Sequence, residues 1–199
     1  MHKVKLRVLK GEKTAMSMEI EKLDFCFENL LVRVIADRNH PEIQLAGLSV
    51  GPFEEGNDYE VYYWIAQELA GAGIVHFRED DLLKVTSLYK IQWKERVQIA
   101  GQISELAEDF YPKLRRYLAD MKAEIAKHPE KAQEYEKTLH SAWDIVNSRL
   151  KKIIALSSGP TQTGQIQKKL TSEERFIYAQ LGKVIREWKA QILSFEGER

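Results

Sequence analysis

The 199 residues are 44% hydrophobic and 30% charged, which fits a packed chain and excludes a disordered one. Thirty basic residues cancel thirty acidic ones. A dedicated nucleic-acid binder is usually strongly basic, so that class is disfavoured, and zero net charge gives little protection against association. A single cysteine, Cys26, rules out an internal disulfide framework and points to a reducing compartment. Between Phe25 and Phe27 it reads as a buried structural thiol.

The chain opens with charges interleaved among apolar residues, which is not the pattern of a signal peptide. The longest apolar run, Val61 to Ala66, is far too short to span a membrane. Lys3 to Val8 alternates polar and apolar residues, as do Met16, Met18 and Ile20 with their neighbours, so a hairpin is expected around Gly11. A third strand is expected within Leu30–Ala36, then turn chemistry at Asp37–Pro41, then a short strand at Ile43–Leu45. The glycines and proline of Gly47–Asn57 read as a connector, with Gly51, Pro52, Phe53 and Gly56 at its centre.

Beyond the connector the apolar period changes from two to about 3.6. A helix is expected from a cap at Asp58 to Ala70, stopped by Gly71 and Gly73, followed by a short apolar piece at Ile74–Phe77. Glu79, Asp80 and Asp81 are expected to open the next helix, running past Trp93 towards Ala100. Pro112 must start or kink a helix, and another helical stretch ends near His128-Pro129. Leu139, Trp143, Val146, Leu150 and Ile153 form a 4-3-4-3 seam. After the Ser157–Gly164 loop, Thr171 and Glu174 make a capping box for a last helix with Ile177, Leu181, Val184, Ile185, Trp188 and Ile192 on one face. All four tryptophans, Trp64, Trp93, Trp143 and Trp188, fall in helical segments, where they are expected to supply buried packing area. The fold class is α+β, mostly α. A small β-rich domain (residues 1–50) and a Gly/Pro linker (51–57) precede a bundle of about five helices (58–199).

No catalytic motif stands out. The chain has no phosphate-binding Walker loop, no HExxH or CxxC, and its five histidines are scattered. No catalytic residue, metal site or cofactor is therefore expected. From Arg149 to Ser172 there are five basic residues, Arg149, Lys151, Lys152, Lys168 and Lys169, and no acidic one. They could contact phosphate, which leaves a stand-alone DNA-binding module as the alternative, although the stretch lacks aromatic residues for base stacking. The apolar helical surface exceeds what one small bundle covers. Tyr59, Tyr63, Trp64, Trp143, Leu150, Tyr178, Leu181, Ile185 and Trp188 are the candidates for a subunit interface.

Ala46-Gly47-Leu48-Ser49-Val50-Gly51-Pro52-Phe53, Glu54-Glu55-Gly56, then Tyr59-Glu60-Val61-Tyr62-Tyr63-Trp64-Ile65-Ala66 resemble the GINS family of DNA replication factors, and Ile74-Val75-His76-Phe77 extends the likeness. The branch resembled is the one whose small β-domain precedes the helices, equivalent to the eukaryotic Psf-two and Psf-three subunits, in its archaeal form. Eukaryotic members usually carry proline where Tyr62 stands. The resemblance implies a non-catalytic scaffold in a two-plus-two tetramer with the sister-branch subunit. Its implied partners are the MCM replicative helicase and a RecJ-like protein, with polymerase or primase as further candidates. Direct DNA contact is left open and no membrane is implied. The setting would be the cytoplasm beside the nucleoid, or the nucleus if eukaryotic.

Overall fold

The computed structural model describes residues 14–45, 47–97, 102–159 and 166–194. Among them the chain forms a small mixed unit followed by a helical body. The first helix, α1 (Ala15–Glu28), is where sequence reading expected a second strand. Thr14 caps it, its hydroxyl accepting from the Ser17 amide at 3.1 Å. Met16, Ile20, Leu23 and Phe27 recur at 4-3-4 spacing. The alternation of Met16, Met18 and Ile20 is too short to distinguish a strand from this helical face. The expected strand at Lys3–Val8 and the Gly11 turn lie outside the described residues. Cys26, expected to be buried, is exposed on α1.

β1 (Leu31–Ala36) is the central strand of a three-stranded sheet, with β4 (Asp58–Tyr62) and β5 (Val75–Phe77) antiparallel on either side. Leu31 pairs with Tyr62, and Val34 lies opposite both Tyr59 and Phe77. A separate hairpin joins β2 (Ile43–Leu45) to β3 (Leu48–Val50). The helix expected from Asp58 therefore begins only at Tyr63, as α2 (Tyr63–Gly71). Residues 58–62 are held as strand by the β1 ladder, and the alternation of Tyr59 and Val61 suits that placement.

The glycine-rich segment is part of this unit's packing. Phe53 is buried with Val34, Ala36, Val50, Val61, Ile65, Ala66, Leu69, Ile74 and Val75. His40 and Phe53 exchange two backbone hydrogen bonds of 2.9 and 2.8 Å. Gly51 and Gly56 have φ of +93° and +82°, which β-carbon-bearing residues rarely adopt. Gly56 also donates to the Ala36 carbonyl at 2.8 Å, fixing the turn against the end of β1. A cut at 51–57 would thus pass through one core, which continues to β5.

The helical body contains α3 (Val85–Val97), α4 (Phe110–Ile125), α5 (Ala132–Ser158) and α6 (Ser172–Leu193). Among the described residues there are six α-helices, of which α2–α6 make the five expected within 58–199 and α1 lies before them, and no helix is long and apolar enough to cross a membrane. Glu79, Asp80 and Asp81 do not open α3. They lie before it, with Glu79 accepting from Lys84 at 2.8 Å. Pro112 sits in the first turn of α4, where its missing amide costs nothing.

The seam on α5 is displaced from the expected one. Thr138, Ala142, Ile145, Arg149, Lys152, Ile153 and Leu156 are buried, while Leu150 is half-buried and Trp143 is 58% exposed. Two of these buried residues are cations. Arg149 is completely buried, its Nη1 donating to Glu95 Oε1 on α3 at 2.7 Å and its Nη2 to Glu174 Oε2 on α6 at 2.6 Å. Lys152 donates to Glu95 Oε2 at 2.6 Å. The Tyr111 hydroxyl of α4 donates to Glu174 at 2.7 Å, and Ser104 donates to Glu95. Glu174 also completes the capping box with Thr171. Two buried cations face two buried carboxylates, so the cluster is neutral and all four helices of the body meet in it. Burial opposes the charge on Glu95, but hydrogen bonds from Lys152 and Ser104 and the Arg149 guanidinium hold its pKa below the usual value. Burial likewise opposes the Arg149 charge, and Glu174 and Glu95 raise its pKa above the ordinary value.

Truncating Arg149→Ala leaves the buried Glu174 carboxylate without a cation and Glu95 with Lys152 alone. It is expected to cost about 3–5 kcal/mol in urea unfolding. Because the Glu95 pKa is depressed in the fold, its contribution is complete above the unfolded value of about 4.5 and is lost as pH falls through the folded pKa. A melting series from pH 7 to 3 is expected to fall steeply below that value, and less steeply in Glu95→Gln. Thr138 offers the opposite case, since its hydroxyl is buried with no hydrogen-bond partner among the described residues. Thr138→Val is expected to leave stability unchanged or raise it by about 1 kcal/mol in the same assay.

Candidate subunit interface

The aromatic residues nearest the sheet act within the chain. Tyr63 lies between Phe27 of α1 and Phe77 of β5, with ring centroids 4.7 and 5.4 Å away. The Arg116 guanidinium of α4 covers Phe27 and Tyr63 at 5.0 and 5.3 Å, and donates to Glu28 at 2.5 Å. Arg115 binds Asp24 of α1 at 2.5 Å and Glu173 of α6 at 3.2 Å. These two arginines tie the small unit to the helical body. Tyr59 packs edge-on against Phe53 at 4.8 Å, and its oxygen accepts from the Glu54 amide. Tyr59 and Tyr63, read in the sequence as interface candidates, are thus largely consumed by internal contacts. Burial pushes the Tyr63 hydroxyl pKa up, so it remains neutral.

The tryptophans behave differently. Expected to supply buried area, they are 38% (Trp64), 66% (Trp93), 58% (Trp143) and 60% (Trp188) exposed. On α3, Trp93 lies in an outward row with Tyr89 and Val97, one turn apart, while Leu88 faces the core. The α5 row reading Trp143, Leu150 and Ile154 also points away from the buried seam.

α6 gives the clearest uncovered surface. Arg149 on α5 meets Glu174 near the start of α6, and the Ser158 carbonyl at the end of α5 accepts from Lys189 at 3.1 Å. The two helices therefore run in the same direction, and α6 continues past the last turn of α5. The first half of the α6 stripe, Ile177, Tyr178 and Leu181, packs on Ile153, Leu156 and Leu170. Ile185 is half-buried. The second half, Val184, Trp188 and Ile192, keeps the same helical phase but lies largely exposed, with Leu193 beside it. Burying each of these side chains fully would contribute about 1.5–3 kcal/mol. Tyr178, Leu181 and Ile185 thus belong mainly to the internal contact, whereas Trp188 belongs to the open one. Trp143 is not brought beside Trp188: roughly 22 Å of helix separates it from the end of α5 where Lys189 docks. The periodicity along α6 was legible in the sequence. The point at which its cover ends was not, because that depends on where α5 stops relative to α6.

The predicted basic surface is divided. Arg149 and Lys152 are internal ions and cannot reach a phosphate, while Lys151, Lys168 and Lys169 are exposed. Charge in a sequence cannot reveal that a lysine has carboxylates waiting inside the fold. A cleft of about 530 Å³ also opens between the small unit and α4, lined by Leu31, Tyr63, Phe77, Arg116, Tyr117 and Asp120 among others. Its lining combines apolar side chains with charges of both signs. Among the described residues, no group of three or more His, Cys, Asp or Glu side chains is placed to hold a metal ion.

Residues 19–73 match the family model of the PSF2 N-terminal domain. The matched segment runs from the first turns of α1 through β1 and β4 to the end of α2, including the Gly51–Gly56 turn. None of the curated proteins matches this chain.

Arg116→Ala removes the cation over Phe27 and Tyr63 together with the Glu28 ion pair. It is expected to cost about 1–2 kcal/mol and to raise amide exchange across α1 more than across α5. Equal exchange in both helices would show that α1 is not held by this contact.

Proposed function

We propose that the chain is a non-catalytic subunit of a GINS complex in chromosomal DNA replication, of the type in which the small β-rich domain precedes the helices. The observation that carries this reading is the PSF2 N-terminal domain match over residues 19–73. The geometry adds support, since the α6 stripe outruns the helix that covers it and ends in exposed Val184, Trp188 and Ile192. The chain resembles the archaeal form, and the proposed assembly is a tetramer of two such chains with two sister-branch subunits. The uncovered half of α6 is its proposed subunit contact, with the outward rows around Trp143 and Trp93 left for other members of the machinery. The proposed role is to hold the MCM helicase and a RecJ-like partner together. Such a scaffold favours an active helicase state only by binding it more tightly than the inactive one.

The alternative of a stand-alone DNA-binding module using the whole 149–172 stretch is not favoured, because two of its five cations are enclosed. Co-expression with a sister-branch GINS subunit, analysed by light scattering, is expected to give one species containing both chains in equal number. W188E/I192E is expected to abolish it while melting within a few degrees of the parent chain. A stable monomer that ignores the sister subunit would overturn the proposal.

A further inference from the structure

A concavity of about 270 Å³ lies where the C-terminal end of α5 meets the middle of α6. Its wall carries Arg175, Tyr178, Arg186 and Lys189 from α6, Gln167 from the short 3-10 turn before α6, and Ser157–Gly159 from the end of α5. Among the described residues no carboxylate lines it. In a chain with equal numbers of acids and bases, a cavity bearing three cations and no acid is an asymmetric placement of charge.

The cations are not equally free. Arg175 is paired with Glu108 outside the cavity and donates to the Leu170 carbonyl. Lys189 gives one of its three hydrogens to the Ser158 carbonyl, meeting the negative end of the α5 dipole, and keeps two. Arg186 has no carboxylate or carbonyl partner among the described residues, and its Nη1 lies 3.1 Å from where a β-carbon on Gly182 would stand. The absent side chain at position 182 therefore leaves room for the guanidinium to lie along α6. Lys168 and Lys169 follow Gln167 directly and are exposed.

Ser157 and Ser158 both donate their hydroxyl hydrogens to the Ile154 carbonyl, so they are not the donors here. The donors are the Arg186 fork, the remaining Lys189 hydrogens and the Gln167 amide. This is a set suited to a tetrahedral oxyanion carrying negative charge on at least two oxygens. We propose that this concavity binds phosphodiester groups of a nucleic-acid strand, with Arg186 and Lys189 as its principal contacts and Lys168 and Lys169 holding the neighbouring phosphates. A strand is favoured over a lone phosphate because two further exposed cations, Lys168 and Lys169, follow directly in the chain the Gln167 that lines the cavity. Among the described lining residues the one aromatic ring is Tyr178, which packs into the α5–α6 core, so the proposal covers phosphate contact and not base stacking. Arg186 lies on the opposite side of α6 from the Val184–Trp188–Ile192 stripe, whereas Lys189 is one turn before Ile192, so the assembly readout below is what separates this site from the proposed subunit contact.

The test is fluorescence anisotropy of the full chain with a labelled 20-nucleotide single strand at about 50 mM salt. A log–log salt slope of about −2 is expected for three phosphate contacts. R186E/K189E is expected to weaken binding at least ten-fold. K90E/K94E, which makes the same net-charge change on exposed positions of α3, is expected to weaken it less than two-fold. The neutral R186Q/K189Q is expected to flatten the slope by about one, and melting curves check that all variants fold. Equal losses from both charge-reversal pairs would mean that only net charge attracts the strand, and would overturn the site. So would undetectable binding at this salt, or binding of inorganic phosphate at Arg186, followed by NMR shifts, without any binding of the strand. Co-elution with the sister subunit by R186Q/K189Q shows that loss of strand binding is not loss of assembly.

Discussion

A guanidinium enclosed at the centre of the helical body sets the arrangement of everything around it. Arg149 cannot be hydrated, so its hydrogens must find acceptors inside the protein, and they find them on α3, on α6 and on the Ser104 and Lys169 carbonyls. Each acceptor fixes a different segment. Glu95 fixes the rotation of α3, Glu174 fixes the start of α6, and Ser104 places the loop leading to α4. An apolar residue at 149 could hold the helices together by area alone, but it would make none of these directed contacts to α3, α6 and the Ser104 loop. The same Glu174 carboxylate accepts from Arg149, Tyr111 and the Thr171 amide, so helix capping and core electrostatics rest on one side chain.

The small unit is attached by different means. Its sheet and α2 have a core of their own, and its link to the helices runs through α1 and two neighbouring arginines of α4. Aromatic faces, carboxylates and guanidinium planes are combined there, in a contact that is more exposed than the Arg149 cluster. The two attachments therefore differ in character: one is an internal ionic pin, the other a surface clasp.

Much of the architecture could be read from residue patterns, and the failures have identifiable causes. β1 and the capping box at Thr171 were legible because each depends on residues adjacent in the chain. α1 was misread because three alternating apolar residues satisfy both periods. Tyr59 and Val61 were read as helical because the pairing that makes them strand comes from Leu31–Ile35, far earlier in sequence. On α5, polarity misled: Arg149 and Lys152 looked like surface and Trp143 like core, whereas pairing with Glu95 and Glu174 inverts both. For the candidate interface, the apolar stripe of α6 was evident from spacing. Its division into covered and open halves required the relative ends of two helices.

The clasp on α1 has a consequence for how the molecule assembles. Among the described hydrogen bonds, the one from Arg115 to Asp24 joins the residues furthest apart along the chain, a separation of 91. The strands of the sheet, by contrast, find one another within residues 31–77. Closing the longer loop carries the greater entropic cost and must wait until α4 exists as a surface to dock on. During synthesis the PSF2-like portion, in which Phe27 of α1 already has Tyr63 to pack on, therefore precedes the two arginines that clasp α1 to the helical body. Until Arg116 is made, Phe27 and Tyr63 lack the cation that covers their rings in the finished fold, and Asp24 and Glu28 lack their guanidinium partners.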